Sequence, residues 1–452
     1  MKRAVIVALV LLGSCVAPTE VPVLDVPPSP VASPAGAAPS VPANSHVFLV
    51  GEAEAAERDG CFGGDLAAYA LPGGLLRRYA VPALSGGVVS LADAAVSYPT
   101  TQVEGGKWRT VIEKIDLRSA ATILRIDASA GVFGNGLFDR PRCHTVIDVS
   151  ADGTTLGLAR PGVDGDPGRV RLDVFDARSG DLLTTGSFSA RAGATADVSL
   201  RVLTRERIFL TLHSYSGCTG GSCSSSLGDE HFVLDGGRGL KTLDNTPFGC
   251  GRPQLGPGGV LVAHCGSGIR TFRPTGEALG TVAVPLSERE GVLGWRVANE
   301  LVVLVTDRQV IRIDLAASRV KDARPIQQQR SLRLPLGPVV ALAKRAPPRP
   351  AVQLATDGRV AYVVPWPASA SWRPGISVID LETASVRATF LGEREIFGIQ
   401  LSGDGSRLFV LAGQSGDTVG GSDLVVLDGA TGRTISTARL ERAALALISA
   451  AP

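Results

Sequence analysis

The chain has 452 residues, of which 44% are hydrophobic, 19% charged and only 5% aromatic. Its 45 basic and 43 acidic residues leave a formal charge of +2, which excludes the basic surplus of a dedicated nucleic-acid binder. With 54 Gly and 29 Pro, the composition favours short strands joined by turns over long helices.

Met1-Lys2-Arg3 forms a positive start, followed by the apolar run 4–12. Nine residues cannot span a hydrocarbon layer of ~30 Å, which takes ~20 helical residues. They suit the core of a secretory signal. The run ends in Leu12-Gly13-Ser14-Cys15, which resembles the bacterial lipobox. That resemblance implies cleavage before Cys15, diacylglycerol on its thiol, and an exported protein lipid-anchored to the cell envelope. Residues 1–15 are thus read as the signal. Segment 16–45 holds eight prolines and two charges. It reads as a semi-rigid tether, with a reach on the order of 90 Å at ~3.1 Å per residue.

Residues 46–452 cycle through one pattern. Two apolar strands are followed by a strand ending in Asp-x-x-x-Gly or a relative, and then by a short last strand. Anchored on Tyr69, Asp116, Asp176, Asp235, Arg273, Asp314, Asp380 and Asp428, the shorter repeats match the ~40–45 residues of a four-stranded propeller blade. Each Asp is expected to cap its turn, accepting backbone N–H groups two and three residues on, with Gly at positive φ. The Asp-Gly pairs at 152–153, 357–358 and 404–405 have the same reading. The clearest copy, LSGDGSRLFVLAG followed by LVVLDGATGR, resembles the repeat of YVTN-type (WD40-like, cytochrome-d1-like) propellers. Its Tyr-Val-Thr-Asn core appears here as Phe409-Val410-Leu411-Ala412. The resemblance implies an all-β propeller and no particular function. The quinoprotein repeat places Trp where this chain has Thr184 and Ser436, which argues against quinone binding.

Unit one opens at 46–51 on a second strand, and the chain ends in an apolar strand over 443–449. The C-terminal strand is therefore expected to complete the first blade and hide two edges. Eight units give eight blades; seven follow if 326–350 has been assigned to the wrong unit. The insertions 51–64, 99–107, 161–168, 213–230, 365–375 and 413–422 all fall between second and third strands, which places them on one face.

Besides Cys15 the chain has Cys61, Cys143, Cys218, Cys223, Cys250 and Cys265, an even number in an exported protein. Cys250 and Cys265 lie symmetrically about Pro257-Gly258, Cys218 and Cys223 close a small loop, and Cys61 pairs with Cys143 by elimination. His144, His213 and His264, with His231, fall near the long-loop face as metal-ligand candidates, but no short ligand spacing accompanies them. The Asp164 and Asp166 cluster lacks the downstream Glu of a calcium loop. Ser222–Ser226 lies in no Gly-x-Ser-x-Gly elbow, so no serine hydrolase is signalled. Trp366, Trp372 and Tyr215 are binding-face candidates, with packing of the Trp loop on itself as the other reading. No cofactor is implied. The leading reading is a lipid-anchored module binding a protein, peptide or glycan. An envelope enzyme, lactonase-like or metal-dependent, and a scaffold of an envelope complex are the alternatives.

Overall fold

The computed structural model describes residues 41–42, 44–52, 66–79, 89–91, 95–104, 107–128, 145–150, 153–162, 166–191, 193–205, 207–216, 225–235, 240–243, 254–273, 277–287, 290–298, 300–327, 352–364, 375–413, 422–442 and 444–451. The first forty residues, with Cys15 and most of the tether, lie outside that set. The described residues form an eight-bladed β-propeller of eight antiparallel four-stranded sheets. Blade one is built, from the channel outward, of Ala444–Ala451, His46–Glu52, Leu66–Leu71 and Gly74–Tyr79. Blades two to eight follow along the chain at 89–127, 146–189, 195–243, 254–283, 292–325, 352–390 and 396–439. Among the described residues no helix is long and apolar enough to cross a membrane.

The expected closure is present. His46–Glu52 pairs antiparallel with Ala444–Ala451 on one side and Leu66–Leu71 on the other. The eight-versus-seven question resolves to eight, because eight four-stranded sheets are present, with blade six ending at Pro325 and blade seven beginning at Val352.

Burial explains why the sequence alternates weakly in the middle of each blade. Arg407–Gly413 and Thr155–Pro161 are buried along nearly their whole length, since blades stack on both faces. The outermost strands alternate, as in Thr434–Arg439, because one face meets water. The buried apolar residues divide into eight clusters, one per seam between neighbouring blades. Seven seams have eight to fourteen buried members among the described residues. The cluster between blades four and five has three, Leu261, Ala263 and Phe272, with Phe209 and Val233 buried on the same side of blade four.

The anchoring aspartates do what the repeat requires. Asp116, Asp176, Asp235, Asp314, Asp380 and Asp428 each end the third strand of a blade. Asp176 accepts the N–H groups of Arg178 and Ser179 at 2.8 and 3.0 Å, and Asp380 those of Glu382 and Thr383, both at 2.8 Å. Four residues after Asp the chain turns left-handed. Gly180 and Gly432 fill that position at φ 81° and 69°, but Ala120, Ser318 and Ala384 hold it at 50°, 49° and 54°. Blade five, which has Arg273 instead of Asp, closes its turn with Arg273 N–H on the Glu277 carbonyl at 2.8 Å.

These turns also clasp the seams. Tyr79 of blade one donates to the Ala120 carbonyl at 2.5 Å, Lys114 of blade two to Ala177 at 2.8 Å, and Tyr362 of blade seven to Gly429 at 2.7 Å. Near the channel a second set of bridges joins first strands. Asp148 accepts Val202 N–H at 2.9 Å, while Gln400 both donates to and accepts from the Ala450 backbone at 2.9 Å.

Two expected loops are corrected. Residues 99–104 and 107–112 are strand, a hairpin arm paired to its tip at Glu104 and Lys107. Likewise 212–216 and 225–230 are strand and pair with each other. Both stretches are rich in Gly, Ser and Thr, and their alternation is polar on one side, so composition alone reads as loop.

Removing 444–451 is expected to lower the melting temperature by more than ~5 °C, because blade one loses its inner strand and a whole edge opens. A denaturation series tests the turn analysis. Ser318→Gly, exposed and free of αL strain, should gain about 0.5–1 kcal/mol, whereas Gly432→Ala should lose ~2 kcal/mol or more, its new Cβ lying 2.2 Å from the Phe390 ring.

Candidate functional site

The direction of the strands sorts the features onto two faces. Second strands run from the short-turn face to the face carrying the longer connections. Ser45 precedes a second strand and donates to the Pro72 carbonyl at 2.8 Å, so the tether meets the short-turn face. Val41 packs against the core between blades one and two on that side. Cys265 ends the second strand of blade five, on the opposite face. It is disulfide-bonded, and all other cysteines, including Cys250, lie outside the described residues. The hairpin before it turns at Pro257–Gly259, with Leu255 opposite Leu261, half a residue from the expected centre.

The candidate histidines do not form one site. His144 lies outside the described residues, as do Trp366, Trp372, Asp152 and Asp164. His264 shares the face of Val262, which packs toward blade six. Its Nε2 is buried without a hydrogen-bond partner among the described residues, and burial pushes its pKa down. His213 belongs to blade four and faces the seam with blade five. No group of three or more His, Cys, Asp or Glu suited to a metal occurs among the described residues. Asp166 is occupied as a turn cap, accepting Gly168 N–H at 2.9 Å.

Blade four supplies the most organised polar surface. Its sheet alternates strictly: Ala196, Val198, Leu200, Ile208, Leu210, Leu212 and Phe232 join the core shared with blade three. The alternate residues look into the seam with blade five: Phe209 and Val233 are buried and apolar, and the positions beyond them toward the long-loop face are polar. Two cross-strand rows result, Asp197–His213–Asp229 and Ser199–Thr211–His231. His213 Nδ1 lies 2.9 Å from Asp229 Oδ1, and its Nε2 lies 3.0 Å from Ser199 Oγ. His231 Nδ1 meets Thr211 Oγ1 at 3.2 Å. Tyr215 stands at the end of the same strand, opposite Thr195 and Ser226, and burial raises its pKa, with Asp197 and Asp229 adding to the shift. A β-bulge falls between Ser214 and Tyr215, where Gly228 takes φ 110° just before Asp229.

His213 and Tyr215 stand out in the sequence, whereas Ser199 and Asp229 do not. The signal was in the hairpin arithmetic. Once both turns of blade four are placed, residues 197, 213 and 229 fall side by side.

No family model and no curated protein matches the chain. Solved structures do. Dihydro-heme d1 dehydrogenase NirN in complex with DHE aligns at TM-score 0.50 and 14% identity, over 89% of this chain and 75% of that one. A putative 6-phosphogluconolactonase from Bacteroides uniformis aligns at TM-score 0.40 and 12% identity, over 90% and 99%. A eukaryotic initiation factor aligns at 0.42 and 11%, over 90% and 98%. At these identities the likeness is one of fold.

Burial pushes three histidines below their ordinary value of 6.5: His264, His231, and His46, whose ring meets Phe409 edge-on at 5.6 Å. The unfolded chain then takes up protons near pH 6.5 that the folded chain refuses. Stability from this source is constant above about pH 7 and falls as pH drops below 6.5. Thermal melts from pH 8 to 5 should show that decline, and His264→Gln should flatten it.

Proposed function

We propose that this protein is a lipid-anchored binding module of the bacterial cell envelope, which captures a protein, peptide or glycan on its long-loop face. The observation that supports this reading most directly is the opposition of the two faces. Short capped turns and the tether's entry at Ser45 share one face, while the hairpin arms of blades two and four and the disulfide-bonded Cys265 share the other. A rigid scaffold with its elaborated connections on the side away from the attachment point is an arrangement suited to capture. The signal-like start, the lipobox resemblance at Cys15 and the Pro-rich 16–45 supply the anchor in this reading. Pairing of Cys250 with Cys265, Cys218 with Cys223 and Cys61 with Cys143 would brace the same face.

The test has an anchor arm and a face arm. Cys15→Ala should leave the protein unlipidated and release it from membranes on fractionation. Cross-linking capture from intact envelopes should be lost when 365–375 or 217–224 is replaced by Gly-Ser, with the melting temperature within ~2 °C of wild type. Retention of Cys15→Ala in membranes defeats the anchor. Capture that survives both loop replacements and is lost on altering the short turns defeats the face.

A further inference from the structure

We propose that Ser199, His213 and Asp229 form a hydrolytic triad, in which Ser199 Oγ accepts the acyl group of a carboxylic ester. This goes beyond capture and does not rest on it.

The geometry is serial. Asp229, an acceptor, lies 2.9 Å from His213 Nδ1, which fixes the proton on that nitrogen. Nε2 is then left with its lone pair 3.0 Å from Ser199 Oγ, so the hydroxyl donates to it. Nucleophile, base and orienting carboxylate thus stand in hydrogen-bond contact in the order that acyl transfer needs. The three side chains come from adjacent antiparallel strands, Thr195–Thr204, Arg207–Ser216 and Ser225–Asp235, so their spacing is set by the ladder. A triad is recognised by geometry and roles, and the elbow motif belongs to only one of the folds that carry it.

Ser199 is exposed on the channel-side strand, where a substrate can reach it, and the His213 and Asp229 side chains are 23% and 45% exposed. The placement also comes at a cost that bare decoration does not explain. Among the described residues the apolar clusters at the other seams have eight or more buried members, against three in the cluster here, and blade four adds only Phe209 and Val233 on this face. Polar residues that forgo seam packing, aligned in two rows, have the character of a functional site.

The step balances without a redox partner. As Oγ bonds to the acyl carbon, its proton passes to His213 Nε2, and Asp229 holds the resulting imidazolium. The carbon–oxygen bond to the leaving alcohol breaks, and that oxygen takes the proton. Water then attacks the acyl-Ser199 ester by the same route, releasing a carboxylic acid and restoring the hydroxyl. Ser199 and His213 touch the reacting atoms; Asp229 is a positioning residue.

The purified full chain should be treated with a fluorophosphonate probe, digested with trypsin, and read on the peptide 192–201, which contains Ser199. Labelling at Ser199 is expected, together with hydrolysis of p-nitrophenyl acetate. Ser199→Ala should abolish both, and His213→Gln should slow labelling by about 100-fold or more. Asp229→Asn should slow labelling and move the acid limb of its pH profile, which loss of packing would not do. Melting temperatures of the variants serve as the folding control. A well-folded wild type that stays unlabelled at Ser199, or a Ser199→Ala variant that hydrolyses at the wild-type rate, overturns the proposal. Neither outcome bears on capture by the long-loop face.

Discussion

A blade whose middle strands are apolar on both faces can be covered only by other blades. That constraint organises the molecule. Second strands such as Arg407–Gly413 are buried on both sides, so each sheet needs two neighbours and the row of sheets must close. Closure is made by the C-terminal strand pairing with His46–Glu52, and the seam it completes holds Phe48, Val50, Phe409 and Leu411. The aromatic pair Phe48 and Phe409 meets edge-to-face there at 5.5 Å.

Polar contacts finish the seams at both ends. On the short-turn face the Asp-capped turn of one blade receives a donor from the blade before it, as from Tyr79 to Ala120. One carboxylate therefore serves two levels. It satisfies the turn's own N–H groups, and by fixing the turn it aims a carbonyl at the neighbour. The same logic explains why Ala120 and Ala384 keep a positive φ: both are fully buried against neighbouring structure, which holds them where glycine would otherwise be preferred. Toward the other face, buried ions take over. Arg160, buried against Asp173, also donates to Ala128 of the preceding blade at 2.5 Å, while within blade one Glu52 accepts from Arg78 at 2.9 Å and from Tyr69.

Much of this was legible in the sequence, because the repeat is local. Six aspartates fell at the ends of third strands because the turn chemistry is complete within five residues. Closure was legible because an opening second strand and an unpaired last strand are complementary deficits. Polar strands were not legible. Residues 99–104 and 225–230 carry no apolar period to separate them from loops, and only their partners define them. The direction of His264 was hidden as well. It lies in a strand like His213, yet one-residue parity sends it toward blade six while His213 faces blade five.

The weak seam ties these observations together. Among the described residues the apolar cluster between blades four and five has three buried members, and beyond Phe209 and Val233 the opposing positions of blade four are given to serine, threonine, histidine and aspartate. In a linear array such a gap would be a point of fracture. In a closed ring the other seven seams and the pairing of His46–Glu52 with Ala444–Ala451 hold both blades in place, so one seam can be spared from packing. A polar wedge reaching from the channel-side strand toward the long-loop face is then stable because the ring is closed elsewhere. The apolar repeat that looks purely structural is therefore what allows one of its eight intervals to depart from it.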